Sequence, residues 1–136
     1  VDQGGKWSAQ AANDYMATIL PEYSEANGNM VELIICNNDG MAEGAVSALQ
    51  GAGYNTGDGK TIPVFGVDAT DSAKQLINEG KMTGTVKQDA EGMASTILNL
   101  VSSVQGGGEL MDNTSSFNVD EGVAKIRVPY ATYTGE

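Results

Sequence analysis

The sequence predicts an α/β fold built on a parallel β-sheet flanked by helices. Three short apolar runs, rich in β-branched residues, alternate with segments whose apolar residues recur every three or four positions. The apolar runs show little alternation of polar and apolar residues, which is typical of strands covered on both faces. The element order α-β-α-β-α-β-α-β favours parallel strands joined by right-handed crossovers.

The composition excludes several classes of function. With 136 residues and 40% hydrophobic content, the chain can form one domain with a sizeable core. Its 18 acidic and 7 basic residues give a net charge of −11, which argues against binding to nucleic acid or to anionic membranes. The absence of histidine excludes Ser-His-Asp and Cys-His triads and histidine zinc sites. No apolar run approaches the ~18 residues that a membrane span requires. Because the sequence begins with Val1 rather than Met, we expect a processed product or a fragment.

The first half of the chain contains two predicted helices with a strand between them. Apolar residues at helical spacing predict a helix over Trp7–Leu20, which Pro21 ends. The apolar run Val31–Cys36 predicts a strand, and Cys36 at its end is expected to be a small core residue. A second helix is predicted over Met41–Gln50, before two glycines.

The middle of the chain contains a loop, a strand and a helix. Residues 55–59 are dense in turn-forming types and predict a surface loop. The run Ile62–Asp68 predicts a second buried strand. Thr70 or Asp71 is expected to cap the helix that follows, and Gly80 to terminate it.

A third strand and the longest helix come next. The strand is predicted over Met82–Val86, and Asp89 is expected to cap the helix, which the glycines at 106–108 stop. Residues 123–130 alternate loosely and include a proline, which predicts a late edge strand or an extended crossing.

Each predicted strand ends in carboxylate or amide side chains. The residues are Asn38 and Asp39, then Asp68, then Gln88 and Asp89. Singly, Asp39 and Asp89 are ordinary helix caps. Because parallel strands end at the same edge of a sheet, the three clusters together predict a polar rim suited to a polyhydroxylated ligand. Paired carboxylates of a glycosidase-like enzyme are an alternative, although no Gly-rich phosphate loop or G-x-S-x-G motif accompanies them.

Four motifs stand out along the chain. They are Asn37-Asn38-Asp39-Gly40-Met41-Ala42-Glu43-Gly44-Ala45, Ile62-Pro63-Val64-Phe65-Gly66-Val67-Asp68-Ala69, Gly84-Thr85-Val86-Lys87-Gln88-Asp89-Ala90 and Arg127-Val128-Pro129-Tyr130. Together they resemble the bacterial galactose/glucose-binding proteins, a family of type I periplasmic sugar-binding proteins that serve ABC transporters and chemotaxis. The resemblance runs from about Trp7 to Tyr130, with the segments in the family's order.

The resemblance implies a role for several residues. Trp7, which on its own could equally be a core anchor, matches a tryptophan that stacks on the apolar face of the sugar ring. Asn38 and Asp68 match an asparagine and an aspartate that hydrogen-bond ring hydroxyls, and Gln88 stands where the family uses an asparagine. Glu32 matches a carboxylate of a calcium site whose other ligands are not in this sequence. We therefore expect no cofactor and no metal here, with Glu32 a weak calcium candidate only if that missing loop is present.

The resemblance also implies a domain assignment. The family folds as two α/β lobes with the sugar between them. Residues 1–88 match part of the second lobe, residues 89–127 match the last helix and strand of the first lobe, and residues 128–136 return to the second lobe. We therefore expect an incomplete lobe that carries about half of the sugar site.

The expected function is extracytoplasmic binding of a galactose- or glucose-type monosaccharide, without catalysis. The implied partners are the sugar and the membrane permease of an ABC transporter, not nucleic acid. The implied location is periplasmic, or extracellular and lipid-anchored in a Gram-positive organism. An effector domain of a LacI-type transcription regulator is the main alternative, but it would be marked by a basic helix-turn-helix, which this sequence lacks. A sheet without its first strands has an unpaired edge, which predicts self-association.

Overall fold

The computed structural model describes residues 4–120, 122–123 and 125–135; Val1, where the sequence begins, and Ala124, in the predicted late strand, lie outside these ranges. The chain divides into two compact units, Val1–Lys87 with Thr132–Glu136 and Gln88–Ala131. In chain order the elements are α1 (Ala9–Glu22), a 3-10 helix (Glu25–Asn27), β1 (Ile34–Ile35), α2 (Asp39–Gly51), β2 (Val64–Val67), α3 (Asp71–Asn78), β3 (Gly84–Lys87), α4 (Ala90–Gln105), β4 (Asn118–Asp120), β5 (Lys125–Arg127) and β6 (Ala131–Tyr133).

The first unit contains a four-stranded sheet in the order β1-β2-β3-β6. Its first three strands are parallel, with Ile35 paired to Phe65 and Val67 paired to Val86. The predicted α/β class with a parallel sheet and flanking helices is therefore confirmed. The cap of α3 is Thr70, whose hydroxyl accepts a hydrogen bond from the Ala73 N–H.

Helix α2 supplies the centre of the core. Its buried side chains pack with those of α1, α3 and β2 and with Met82 before β3, and Cys36 lies among them as predicted. Helices α1 and α2 approach closely at Gly44, where a Cβ atom would collide with the carbonyl oxygen of Ala9. The buried core comprises Met16, Leu20, Cys36, Ala42, Ala45, Val46, Leu49, Ile62, Val64, Ala73, Ile77 and Met82.

The prediction that Val31–Cys36 forms a strand covered on both faces is wrong. Strand β1 contains only Ile34 and Ile35, and the side chains of Leu33 and Ile35 are 51% and 73% exposed. The reason is the position of β1 at the end of the sheet order, where β2 is its one neighbour among the described strands. A short apolar run without alternation therefore marks an edge strand here, not a central one.

The second unit consists of α4 and the antiparallel hairpin β4–β5. Asp89 caps α4 as predicted, because its carboxylate accepts a hydrogen bond from the Gly92 N–H at 3.0 Å. The hairpin differs from the single late strand predicted over 123–130. No helix in the described part of the chain is long and apolar enough to cross a membrane.

The predicted surface loop at 55–59 begins with a fully buried side chain, that of Asn55. The Asn55 amide NH2 donates to the carbonyl oxygens of Ile62 and Lys81 at 2.8 and 3.0 Å, and its Oδ1 accepts from the Ile62 N–H at 2.8 Å. One side chain thus supplies hydrogen bonds to three backbone groups at the entries to β2 and β3. Its φ of 50° is in the left-handed region, which asparagine tolerates better than most residues.

We predict that Asn55→Ala lowers the free energy of unfolding by about 2–4 kcal/mol, because three backbone groups lose their partner inside the protein. Urea denaturation followed by circular dichroism measures the change. Asn29→Ala is the matched control, since Asn29 is exposed and accepts a single bond from the Ser24 N–H; it should cost less than about 1 kcal/mol. Equal losses for the two variants would contradict the structural role assigned to Asn55.

Candidate functional site

Asn38 and Asp68 lie at the same edge of the sheet. Ile35 of β1 pairs with Phe65 of β2, and each candidate residue follows its paired residue by three positions. Because β1 and β2 are parallel, their carboxyl ends are side by side, and ligands of open α/β sheets bind at such ends. The register therefore puts an amide residue and a carboxylate residue at equivalent positions beyond the ends of two neighbouring strands, on one rim of the sheet.

Asn38, not Asp39, is the N-cap of α2. The Oδ1 atom of Asn38 accepts a hydrogen bond from the Met41 N–H at 2.9 Å. The expectation that Asp39 caps the helix is therefore wrong. Capping occupies Oδ1, and the NH2 group of the same amide keeps two donors with which it can bind a ligand.

Asp39 instead has a buried role in the first turn of α2. Its side chain is fully buried, and both of its oxygens accept hydrogen bonds. The Thr85 hydroxyl donates to Oδ1 at 2.6 Å, and the Thr70 N–H donates to Oδ2 at 2.8 Å. Sequence reasoning missed Thr85; the available signal was a threonine within the short predicted strand Met82–Val86.

Asp68 lies in a strained turn. Its φ is 117° and that of Ala69 is 54°, both in the region that favours glycine. A non-glycine residue in such a conformation costs about 1–3 kcal/mol and is retained where the surroundings hold it, which is frequent at ligand sites. The Asp68 side chain is exposed, while its N–H donates to the Val86 carbonyl oxygen at 2.9 Å. The turn backbone is therefore held by a hydrogen bond at Asp68, and the side chain of this residue lies at the surface.

Trp7 lies in a tight turn before α1. The Ser8 N–H donates to the Gly5 carbonyl oxygen at 2.9 Å, and Lys6 and Trp7 between them have φ values of 50° and 61°. The Trp7 side chain is 69% exposed, so it is not a core anchor. Gly5 packs against the end of the Met41 side chain, which places this turn against the first turn of α2.

Two candidates remain, Gln88 and Glu32. Gln88 is the first residue of the second unit, where its side chain is half-buried. Glu32 is exposed and precedes β1. Among the described residues, no cluster of three or more carboxylate or thiol groups is arranged to hold a metal ion.

A groove of about 440 Å³ runs beside β1 from Val31 to Asn37, between this strand and α1. Its lining is mainly apolar and includes Tyr15, Ile19 and Leu33. The groove follows the open edge of the sheet, whereas Asn38 and Asp68 lie on the rim. We distinguish the two features below as the edge groove and the rim.

Comparison with known proteins identifies relatives with sugar-related names. The family model described as "Periplasmic binding protein domain" matches residues 1–109. The D-galactose/methyl-galactoside binding periplasmic protein of Haemophilus influenzae is 35% identical over 126 residues, covering 93% of this chain and 34% of the relative. The D-allose-binding periplasmic protein of Escherichia coli is 28% identical, covering 89% of this chain and 37% of the relative.

Solved structures with a similar fold include solute binding proteins of ABC transporters. An ABC transporter periplasmic solute binding protein of Actinobacillus succinogenes with bound D-allose has a TM-score of 0.71 and 25% identity, covering 96% of this chain and 39% of that structure. A solute binding protein of Bacillus halodurans with bound myo-inositol has a TM-score of 0.69 and 28% identity, covering 96% and 38%. The chain thus spans between a third and two fifths of the length of these relatives.

Burial raises the pKa of the Cys36 thiol above its usual range. At neutral pH the thiolate, which is the nucleophile, is therefore scarce. We predict that a disulfide reagent modifies folded Cys36 at least about tenfold more slowly than the same chain in urea. The reaction should accelerate as the pH rises toward the elevated pKa. Equal rates in the folded and unfolded chain would contradict the burial of this residue.

Proposed function

The chain belongs to the periplasmic binding protein domain family, and from this premise we propose that it carries part of the monosaccharide site of a transport receptor. The ligand would be a galactose- or glucose-type hexose, bound outside the cytoplasm and passed to the permease of an ABC transporter. The receptor would be periplasmic or lipid-anchored at the cell surface, with a further role in chemotaxis. The names of the relatives support the sugar class: galactose, allose and myo-inositol are all neutral and polyhydroxylated.

The observation that supports the proposal is the register of β1 and β2, in which Asn38 and Asp68 each follow a paired residue by three positions. Each sugar hydroxyl is both a donor and an acceptor, so an amide NH2 and a carboxylate can bind neighbouring hydroxyls. Bonds to the Asp68 carboxylate would be the stronger ones. The exposed indole of Trp7 offers a flat surface for the apolar face of a pyranose ring.

We further propose that Gln88 is a fourth ligand residue and that the two units represent two lobes. The units change at Lys87–Gln88 and at Ala131–Thr132, near the proposed boundaries at 88–89 and 127–128, which supports this assignment. We propose no cofactor; Glu32 would join a calcium site only if the remaining oxygen ligands came from a longer protein.

The enzyme alternative is not favoured. Of the three carboxylates considered for paired acid-base chemistry, Asp39 is buried with both oxygens accepting hydrogen bonds, and Asp89 caps α4. Neither is placed to transfer a proton to a substrate. The relatives named above are binding proteins, and none is described as a transcription regulator, so the LacI-type alternative is not favoured either.

We predict weak binding of D-galactose to the 136-residue chain, seen as amide shift changes in NMR titrations. Changes should centre on Asn38, Asp68 and the Trp7 indole. The dissociation constant should be well above the micromolar range, because a single rim contacts one side of the sugar. D-Glucose, D-allose and myo-inositol titrated in parallel give the order of preference.

Isosteric variants sharpen this test. Asn38→Asp keeps the helix cap but removes the NH2 donors, and Asp68→Asn removes the charge; each should weaken binding about tenfold. Asp71→Asn is the control, because Asp71 is an exposed carboxylate in the first turn of α3 and should not affect binding. The absence of shift changes with all four ligands, or equal affinity for all variants, would contradict the proposed site.

We also propose that two copies of the chain associate through the edge of β1. In this strand the Ile34 and Cys36 N–H groups donate toward β2, so the backbone groups of Leu33 and Ile35 are directed to the open edge. The exposed apolar side chains of Leu33 and Ile35 and the adjoining edge groove add contact area. Such an edge is a ready template for strand pairing.

This proposal predicts a dimer in sedimentation experiments at high micromolar concentration. Ile35→Lys should shift the equilibrium to monomer, because a lysine on an edge strand blocks strand pairing. Ile97→Lys is the control, since Ile97 is equally apolar and 61% exposed but lies on α4. A monomeric parent chain would overturn the proposal. If Ile97→Lys dissociates the dimer and Ile35→Lys does not, the interface lies on α4 and the proposed β1 interface is wrong.

A further inference from the structure

The turn that carries Asp68 requires an external restraint. Two consecutive non-glycine residues, Asp68 and Ala69, have left-handed φ values of 117° and 54°. A free chain would relax away from such a conformation, so neighbouring groups must hold it. Ala69 is buried, which means that its N–H also requires a partner inside the protein.

Two backbone N–H groups of the turn are hydrogen-bonded inside the protein, and both are connected to the carboxylate of Asp39. The Ala69 N–H donates to the Thr85 hydroxyl at 3.2 Å, and this hydroxyl donates in turn to Asp39 Oδ1 at 2.6 Å. The Thr70 N–H donates directly to Asp39 Oδ2 at 2.8 Å. The two peptide groups that follow Asp68 are thus bound, directly or through Thr85, by the buried side chain of Asp39.

The space for this arrangement depends on Gly66. A Cβ atom at position 66 would collide with Asp39 Oδ1 and would lie 3.0 Å from the end of the Met82 side chain. Glycine is therefore required here for close approach, not for backbone freedom. Asp39 is held on α2, Thr85 on β3 and Gly66 on β2, so the network connects three elements that end at or begin from the rim.

We infer that Asp39 and Thr85 are positioning residues that hold the Asp68–Ala69 turn in its left-handed conformation and so fix the Asp68 carboxylate on the rim. Asp39 directly follows Asn38 in the chain, so the same network sets the separation of Asn38 and Asp68. The effect on ligand binding rests on the proposed sugar site. The effect on the turn itself does not.

The test compares two disruptive variants with a conservative one and a matched control. Thr85→Val removes the hydroxyl, and Asp39→Asn replaces one acceptor oxygen by an NH2 group that opposes a donor. Thr85→Ser keeps the hydroxyl. Thr83→Val is the control, because the Thr83 hydroxyl accepts a bond from the Val64 N–H at 3.1 Å in the same sheet but away from the turn.

The first readout is the backbone of the turn, measured as HN–Hα coupling constants and chemical shifts of Asp68 and Ala69 by NMR. Thr85→Val and Asp39→Asn should change both, whereas Thr85→Ser and Thr83→Val should leave them as in the parent chain. The second readout is D-galactose binding, which the two disruptive variants should weaken about tenfold while Thr83→Val changes it less than about twofold. Loss of general stability alone would affect Thr83→Val as well.

The outcomes separate this inference from the proposed function. Parental couplings at Asp68 and Ala69 in Thr85→Val would overturn the inference, whether or not the sugar binds. Failure of the parent chain to bind any sugar would overturn the proposed function. The coupling constants of Asp68 and Ala69 would then still test the inference about the turn. If the disruptive variants do not fold, amide hydrogen exchange in the parent chain decides: the Ala69 and Thr70 N–H groups should exchange slowly, and exchange as fast as in the exposed turn at 57–59 would overturn the inference.

Discussion

Parallel pairing of β1, β2 and β3 is the constraint on which the rest of the first unit depends. The register fixes which residues leave the sheet at its carboxyl edge. Asn38 and Asp68 each follow a paired residue by three positions. A slip of one residue would send each side chain to the opposite face. Close packing of α1 on α2 at Gly44 then places the turn of Trp7 against the start of α2. The positions of the rim residues are thus determined by the backbone geometry of the sheet and the helix packing.

The buried carboxylate of Asp39 is the unusual component of this core. A carboxyl group removed from water is costly unless its oxygens are hydrogen-bonded, and here both have donors. A core of aliphatic residues would avoid the cost but could not bind the two N–H groups that follow Asp68. The buried side chain of Asp39 therefore stabilises a left-handed turn formed by non-glycine residues.

The sequence predicts much of the fold because its signals are local. The caps Thr70 and Asp89 and the strands β2 and β3 follow from residue type and spacing. What it could not predict depends on distant neighbours. The exposure of Ile35 follows from the position of β1 at the sheet edge, and the burial of Asn55 follows from bonds to segments as far away as Lys81. Asn38 and Asp39 are equally good N-caps by residue type. Their roles differ because the Asp39 side chain is hydrogen-bonded to Thr85, a contact between residues that are distant in the sequence.

The charges of the proposed rim site would discriminate between classes of ligand. Asp68 presents a carboxylate, and Asn38 presents an uncharged amide whose oxygen is already used in capping. An anionic ligand would be repelled by Asp68 and by a chain of net charge −11. A metal ion would need more oxygen ligands than the described residues bring together. A neutral ligand that presents donors and acceptors on adjacent atoms satisfies both side chains. The proposed stacking on Trp7 would favour a ligand that also has an apolar face, and a pyranose has both properties.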